Sequence, residues 1–222
     1  GRDQIHFAFT NGHPRNEPAN SVYHVAYRAG GFFRADHTRV GAMEDLPLDI
    51  AACDRVFDGS GPAGRAWVWD IALDETGHPV IAYTRLPEET DHRYAWVRWT
   101  GSGWFDTEIT PAGPWFPQTP PGQAEREVHY SGGMALDSAN PSTVFLSRKG
   151  SDTFEIEEWR TANGGRTWTS RPLTRDSMHP QVRPVVPRGK RPGTTQVLWM
   201  SGNYIHYTDY ATAIRMLEIP KT

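Results

Sequence analysis

Residues 161–168 read TANGGRTW. The order is Thr161, then Asn163 two places on, Gly164-Gly165, and the pair Thr167-Trp168. Such a stretch closes a turn between two β-strands. The Asn side chain can bond turn amides, glycines supply the positive φ that other residues resist, and the Trp tucks beneath the turn. The flanking stretches, Glu155–Thr161 and Thr167–Leu173, alternate apolar and polar residues as strands do.

The same reading extends outward. Gly133–Leu136 and Thr143–Ser147 precede the turn as two further strands of one unit. An earlier unit holds Ala66–Leu73 (AWVWDIAL), Pro79–Thr84, Arg93–Thr100 and Trp104–Ile109, with Gly101-Ser102-Gly103-Trp104 as a degenerate form of the turn. Gln4–Thr10 and Ser21–Tyr27 open the chain, and Val182–Val186, Thr195–Met200, Tyr204–Thr208 and Ala213–Leu217 close it. Self-similarity at roughly 40–50 residues, four strands at a time, is the signature of a β-propeller. The expected fold is all-β: one propeller segment with blades at approximately 1–64, 65–112, 127–175 and 180–219, about four strands to each. Gly/Pro/Asx turns recur between the first two strands of each unit, as in Asp74-Glu75-Thr76-Gly77 and Asp137-Ser138-Ala139-Asn140-Pro141.

Composition agrees with this. The chain has 222 residues with nine Trp, eight Tyr, nine Phe, 21 Gly and 18 Pro. Aromatic strands punctuated by Gly and Pro belong to β-proteins, and flat rings also stack on the apolar faces of sugars. A net charge of −3 argues against a nucleic-acid partner, which calls for a basic field. No apolar run approaches the roughly 20 residues of a membrane helix, so no membrane partner is expected. Cys53 is the sole cysteine, which excludes an internal disulfide.

With these motifs in place, the sequence resembles the BNR-repeat proteins of bacteria, and TANGGRTW fits their Asp box. The resemblance rests on residues 3–41 (DQIHFAFTNGHPRNEPANSVYHVAYRAGGFFRADHTRVG), GRAWVWDIALDETGHPVIAY, YSGGMALDSANPSTVFLSR, and RPVVPRG followed by VLWMSGNYIHYTDY. It implies kinship with seven-bladed propellers that act as polysaccharide lyases on ulvan and on rhamnose–glucuronate linkages. Sialidases share the Asp box on a six-bladed version. On that resemblance the chain corresponds to the C-terminal part of a larger propeller, because GRDQIHFAFT resembles the middle of a blade. The implied partners are a polysaccharide and the missing blades. A secreted or periplasmic location is expected.

Elimination at a uronate needs a cation for the carboxylate, a base for the C5 proton and an acid for the leaving oxygen. Tyr130 and Arg148 begin and end neighbouring strands and could face one mouth of the propeller. They are the candidate base and neutraliser, with His13 in Gly12-His13-Pro14 as a third catalytic candidate. His24, Asp70, His129 and Arg183 are the candidate substrate binders. The plainer alternatives stay open: Tyr130 and Arg148 packing a blade edge, and each lone His serving as an ordinary polar residue. Glu155, Glu157 and Glu158 are read as a solvated face of an outer strand. For a bound ion, a structural calcium or zinc, His13 and His24 are the candidate ligands, although their spacing matches no strong metal motif. Three functions compete: a lyase for uronate-rich glycans, a sialidase-like hydrolase, and a non-catalytic glycan-binding propeller.

Overall fold

The structure is a computed structural model that describes residues 3–116, 119, 121–124, 132–150, 152–189, 193–206 and 208–220. It is all-β, arranged as four antiparallel sheets of propeller-blade type that follow one another along an arc without closing it. The first sheet orders β1 (Gln4–Thr10), β2 (Val22–Arg28), β3 (Gly31–Phe33) and β4 (Arg39–Ala42), with β5 (Asp54–Phe57) also paired to β2. The second runs β6 (Arg65–Leu73), β7 (Pro79–Glu88), β8 (Asp91–Trp99) and β9 (Trp104–Gly113). The third runs β10 (Met134–Leu136), β11 (Thr143–Lys149), β12 (Phe154–Arg160) and β13 (Thr169–Pro172). The last has three strands: β14 (Gln181–Val185), β15 (Thr194–His206) and β16 (Asp209–Pro220).

The last sheet corrects the expectation of four strands. Ser201-Gly202-Asn203 reads as a turn, yet β15 passes straight through it, pairing these residues with Ala213, Thr212 and Ala211. Gly202, at φ 136°, is what allows this: a Cβ there would come within 2.3 Å of the Ala211 carbonyl.

Three apolar layers join the sheets. Val22, Phe57, Ile81 and Tyr83 bind the first to the second. Tyr94, Trp96, Leu136 and Leu146 bind the second to the third. Phe145, Ile156, Val197 and Trp199 bind the third to the last. Each middle sheet is therefore covered on both faces, as successive propeller blades are.

The 161–168 turn joins β12 to β13. Asn163 Oδ1 accepts from the Thr167 amide at 2.9 Å, its Nδ2 donates to Thr167 Oγ1 at 2.8 Å, and Thr161 Oγ1 accepts from the Gly165 amide at 2.8 Å. Trp168 then packs edge-on against Trp96 of the second sheet, ring centroids 5.7 Å apart. A local turn signal thus becomes a contact between sheets.

The glutamates of β12 are not a solvated face. Glu158 is buried and held by Arg160 and Arg171. Glu157 pairs with Arg148, and Glu155 accepts from the amide and hydroxyl of Ser177, each at 2.8 Å. An outer strand can still bury a carboxylate when cationic side chains on its own and the next strand close over it.

Candidate functional site

The first strands of the second, third and last sheets lie side by side and bound a groove. Arg183 donates its amide to the Gly132 carbonyl at 2.6 Å, and Leu136 donates its amide to Asp70 Oδ2 at 3.0 Å. The groove, about 460 Å³, is lined by Trp69, Asp70, Gly133, Arg183 and Arg188 among others. A neighbouring cavity of about 490 Å³ is lined by Gln4, His6, Leu73, Ser138 and Arg188. Arg188 and Ser138 border both, so the two spaces form one tract along the inner side of the arc.

Arg183 stands on a β-bulge at φ 58°, an uncommon conformation for a residue with a side chain. The bulge brings its guanidinium over the rings of Trp69 (5.2 Å) and Tyr204 (5.8 Å). An arginine flanked by aromatic rings combines a fixed positive charge with flat apolar surface. Asp70 lies across from it. Burial pushes its carboxyl above the usual carboxylate range, while the amides of Leu136 and Ile71 and the charge of Arg188 pull it back.

Behind the second cavity stands a chain of three side chains. Asp54 Oδ2 lies 2.9 Å from His24 Nδ1 and also accepts from the Ala35 amide at 2.7 Å. His24 Nε2 lies 2.9 Å from His6 Nδ1. A carboxylate can only accept, so His24 carries its proton on Nδ1. Its Nε2 then accepts from His6 Nδ1–H, and the lone pair of His6 falls on Nε2. That atom is buried and has no hydrogen-bond partner among the described residues. Burial first, then the neighbouring His24, lowers the His6 pKa to about 4, so the ring is neutral and able to accept a proton at ordinary pH. The β1–β2 register explains the contact: His6 stands opposite Ala26 and His24 opposite Ala8, which makes the two histidines diagonal neighbours on one face.

The candidates read from the sequence fare unequally. Asp70 and Arg183 line the groove. His24 is fully buried, so it reaches a ligand only through His6. His13 packs edge-on against Trp67 at 4.6 Å, accepts from the Arg15 amide, and lines neither space. Arg148 forms a two-pronged pair with Glu157, at 2.9 and 3.2 Å, and likewise lines neither. The strand beside it thus supplies Arg148 with a counter-charge. Tyr130 and His129 lie outside the described residues. For the calcium or zinc considered above, no group of three or more His, Cys, Asp or Glu side chains among the described residues is arranged to hold a metal ion. His6, Asp54, Arg188 and Tyr204 were not singled out by sequence. The pairing of His6 with His24 was open to a hairpin register built from QIHFAFT and SVYHVAY.

The sheets and their order define a propeller-type β-protein. Residues 1–112 match the model of the BNR repeat-containing family, and the chain belongs to that family. It is similar in fold to a polysaccharide lyase PL25 ulvan lyase solved bound to -[GlcA(1-4)Rha3S]-, with a TM-score of 0.62 at 11% identity. That match covers 98% of this chain and 52% of the other. A second structure of a PL25 ulvan lyase gives the same TM-score, identity and coverage. The chain thus spans about half the length of these solved structures. A search of curated proteins gives no match.

Proposed function

We propose that the inner tract binds a uronate-containing polysaccharide and that the protein cleaves it by β-elimination. The observation that carries this reading is the Asp54–His24–His6 chain, which leaves the lone pair of a neutral imidazole on a residue bordering a cavity also lined by Arg188. Elimination requires that combination. A guanidinium neutralises the uronate carboxylate and so acidifies the adjacent C5–H. His6 Nε2, buried in this structure, accepts the C5 proton once substrate binding uncovers it, the electron pair forms the C4–C5 double bond, and the C4–O bond to the leaving sugar breaks. The imidazolium then carries the proton that the leaving oxygen needs. His24 and Asp54 hold the ring in the tautomer that keeps this lone pair free. Arg183, Trp69 and Tyr204 offer a second charged and aromatic platform further along the groove, suited to a neighbouring acidic residue of the chain. The likeness in fold to an ulvan lyase solved with a glucuronate-containing ligand supports the substrate class.

The test is a β-elimination assay on ulvan, glucuronan, rhamnogalacturonan and gum arabic, following the ultraviolet absorbance of the unsaturated uronate. Product that is lost in His6→Gln and retained in His13→Gln supports the reading. Absence of product on all four, with measurable binding, replaces it with a non-catalytic glycan-binding propeller.

A further inference from the structure

We infer that Asp70 decides which glycan the tract accepts: its carboxylate takes the hydroxyls of a neutral sugar lying between two acidic ones, and it turns away a chain that is acidic at every residue. The inference rests on the reading of the tract as a uronate-binding site. The order of charge along β6 points there. Trp69, Asp70 and Ile71 are consecutive on this strand. The Arg183 guanidinium lies 5.2 Å from the centroid of the Trp69 ring, and Arg188 donates to the Ile71 carbonyl at 3.2 Å. A carboxylate is thus set between the footholds of two arginines, and all three groups line one groove.

The backbone explains how ring and carboxylate come to share the groove. Successive residues of a regular strand point to opposite sides. The register of β6 against β7 shifts between Val68 and Asp70, which leaves Trp69 as an extra, unpaired residue, and both side chains line the groove. Arg183 reaches the Trp69 ring through a second such shift, on β14. Asp70 itself is held by backbone alone: Oδ1 accepts from the Ile71 amide at 2.8 Å and Oδ2 from the Leu136 amide at 3.0 Å. A carboxylate has about four lone-pair sites, two to each oxygen, so each oxygen keeps one for a sugar hydroxyl. Among the described residues no arginine or lysine lies within ion-pair distance of it, so the amides fix the carboxylate without cancelling its charge.

A glycan along this groove meets attraction at Arg188, a hydrogen-bond acceptor at Asp70, and attraction again at Arg183. A neutral sugar opposite Asp70 donates its hydroxyls there, and the ring of Trp69 and the 56% exposed Val185 offer its C–H face an apolar surface. An acidic sugar in the same place sets carboxylate against carboxylate in a half-buried wall, where like charges repel more strongly than in open water. The preferred chain therefore alternates uronate with neutral sugar. A polyuronate carries more charge but gains no third cation from the groove.

Calorimetry with two probes of equal length tests this: a tetraglucuronate, and a tetrasaccharide in which glucuronate alternates with glucose. The wild-type chain should bind the alternating probe about tenfold more tightly, although that probe carries half the charge. Asp70→Asn should bind the tetraglucuronate more tightly than the wild type does and the alternating probe less tightly. Damage to the fold weakens both and cannot produce that gain. Should the variant not fold, salt decides the matter on the wild type. Raising it from about 0.1 M to about 1 M shortens the Debye length from about 10 Å to about 3 Å, which should narrow the preference. A wild type that binds the two probes alike or prefers the tetraglucuronate overturns the inference and leaves the uronate-binding reading standing. So does a preference that Asp70→Asn or high salt leaves unchanged. Binding of neither probe removes that reading, and the inference with it.

Discussion

Nδ1 of His6 lies 2.9 Å from Nε2 of His24. The contact ties β1 to β2 across a diagonal and transmits the charge of Asp54, on β5, to a ring bordering the inner cavity. Because each bond in the chain has a defined donor, the proton on His24 decides where the proton on His6 sits.

Replacing Asp54 with Asn should reverse that chain. An amide can donate to His24 Nδ1, which moves the His24 proton to Nε2. His24 then donates to His6 Nδ1, and the His6 proton is driven to Nε2, where the base is needed. Elimination by Asp54→Asn should fall by a factor of about 10²–10⁴, the usual worth of a positioned general base. KM should change little. Nitrogen-15 chemical shifts of the His6 ring report the tautomer independently of activity; a ring still protonated on Nδ1 would contradict the mechanism.

Arg188 borders both parts of the tract and donates to the Ile71 carbonyl at 3.2 Å from an exposed position. Arg188→Met keeps length and removes charge. Binding of an acidic oligosaccharide, measured by calorimetry, should weaken by about 10–100-fold, the range for a lost hydrogen bond to a charged group. Binding of a neutral oligosaccharide of equal length should be unaffected. Equal losses for both would mean that Arg188 shapes the groove instead of reading charge.

The strands were legible because each carries its own evidence: alternation within it and Gly, Pro or Asx at its ends. TANGGRTW was legible for the same reason, since Asn163 and Thr161 make their bonds within the turn. The site was less so. His6 and His24 meet only once the hairpin register is known, and Asp54 arrives from a strand 30 residues further on. The pairing of Arg148 was not legible because its partner, Glu157, lies on the next strand. Glu158 looked solvated because the arginines that bury it, Arg160 and Arg171, are also surface residues by composition. Arg183 was legible as a cation, but the bulge that turns it onto Trp69 and Tyr204 leaves no mark in VRPVVPR.

Acid should destabilise the fold through His92. It is buried beside Tyr94, with Nδ1 3.2 Å from the Trp115 carbonyl and Nε2 without a partner among the described residues. Burial lowers its pKa from 6.5 to about 4. The unfolded chain therefore binds a proton that the folded chain refuses between these values. Stability is full above about pH 6.5, declines as pH falls toward 4, and then levels off for this group. The loss is roughly 3 kcal/mol, because each tenfold difference in proton affinity between the folded and unfolded chain is worth about 1.4 kcal/mol. His92→Asn keeps a donor for Trp115 and removes the titration. Urea unfolding at pH 7 and pH 4.5 should show a smaller difference in the variant than in the wild type.

The two glycines of the 161–168 turn should respond differently to alanine. Both have positive φ, 68° at Gly164 and 94° at Gly165, so each substitution carries a backbone cost of about 1–2 kcal/mol. Their surroundings differ. The nearest atoms to a Cβ on Gly164 would be those of the Arg98 guanidinium, from 3.1 Å, and that long side chain can move aside. A Cβ on Gly165 would meet the Trp96 ring at 2.8 Å and Thr107 Cγ2 at 2.9 Å. Trp96 cannot retreat, because its indole nitrogen donates to the Pro141 carbonyl at 2.9 Å and its ring is packed against Trp168. Overpacking there adds about 1–3 kcal/mol. Gly165→Ala should therefore lower the melting temperature clearly more than Gly164→Ala, although the two positions are adjacent. Equal effects would mean that the turn contributes only its local geometry, and that the junction between the second and third sheets does not depend on it.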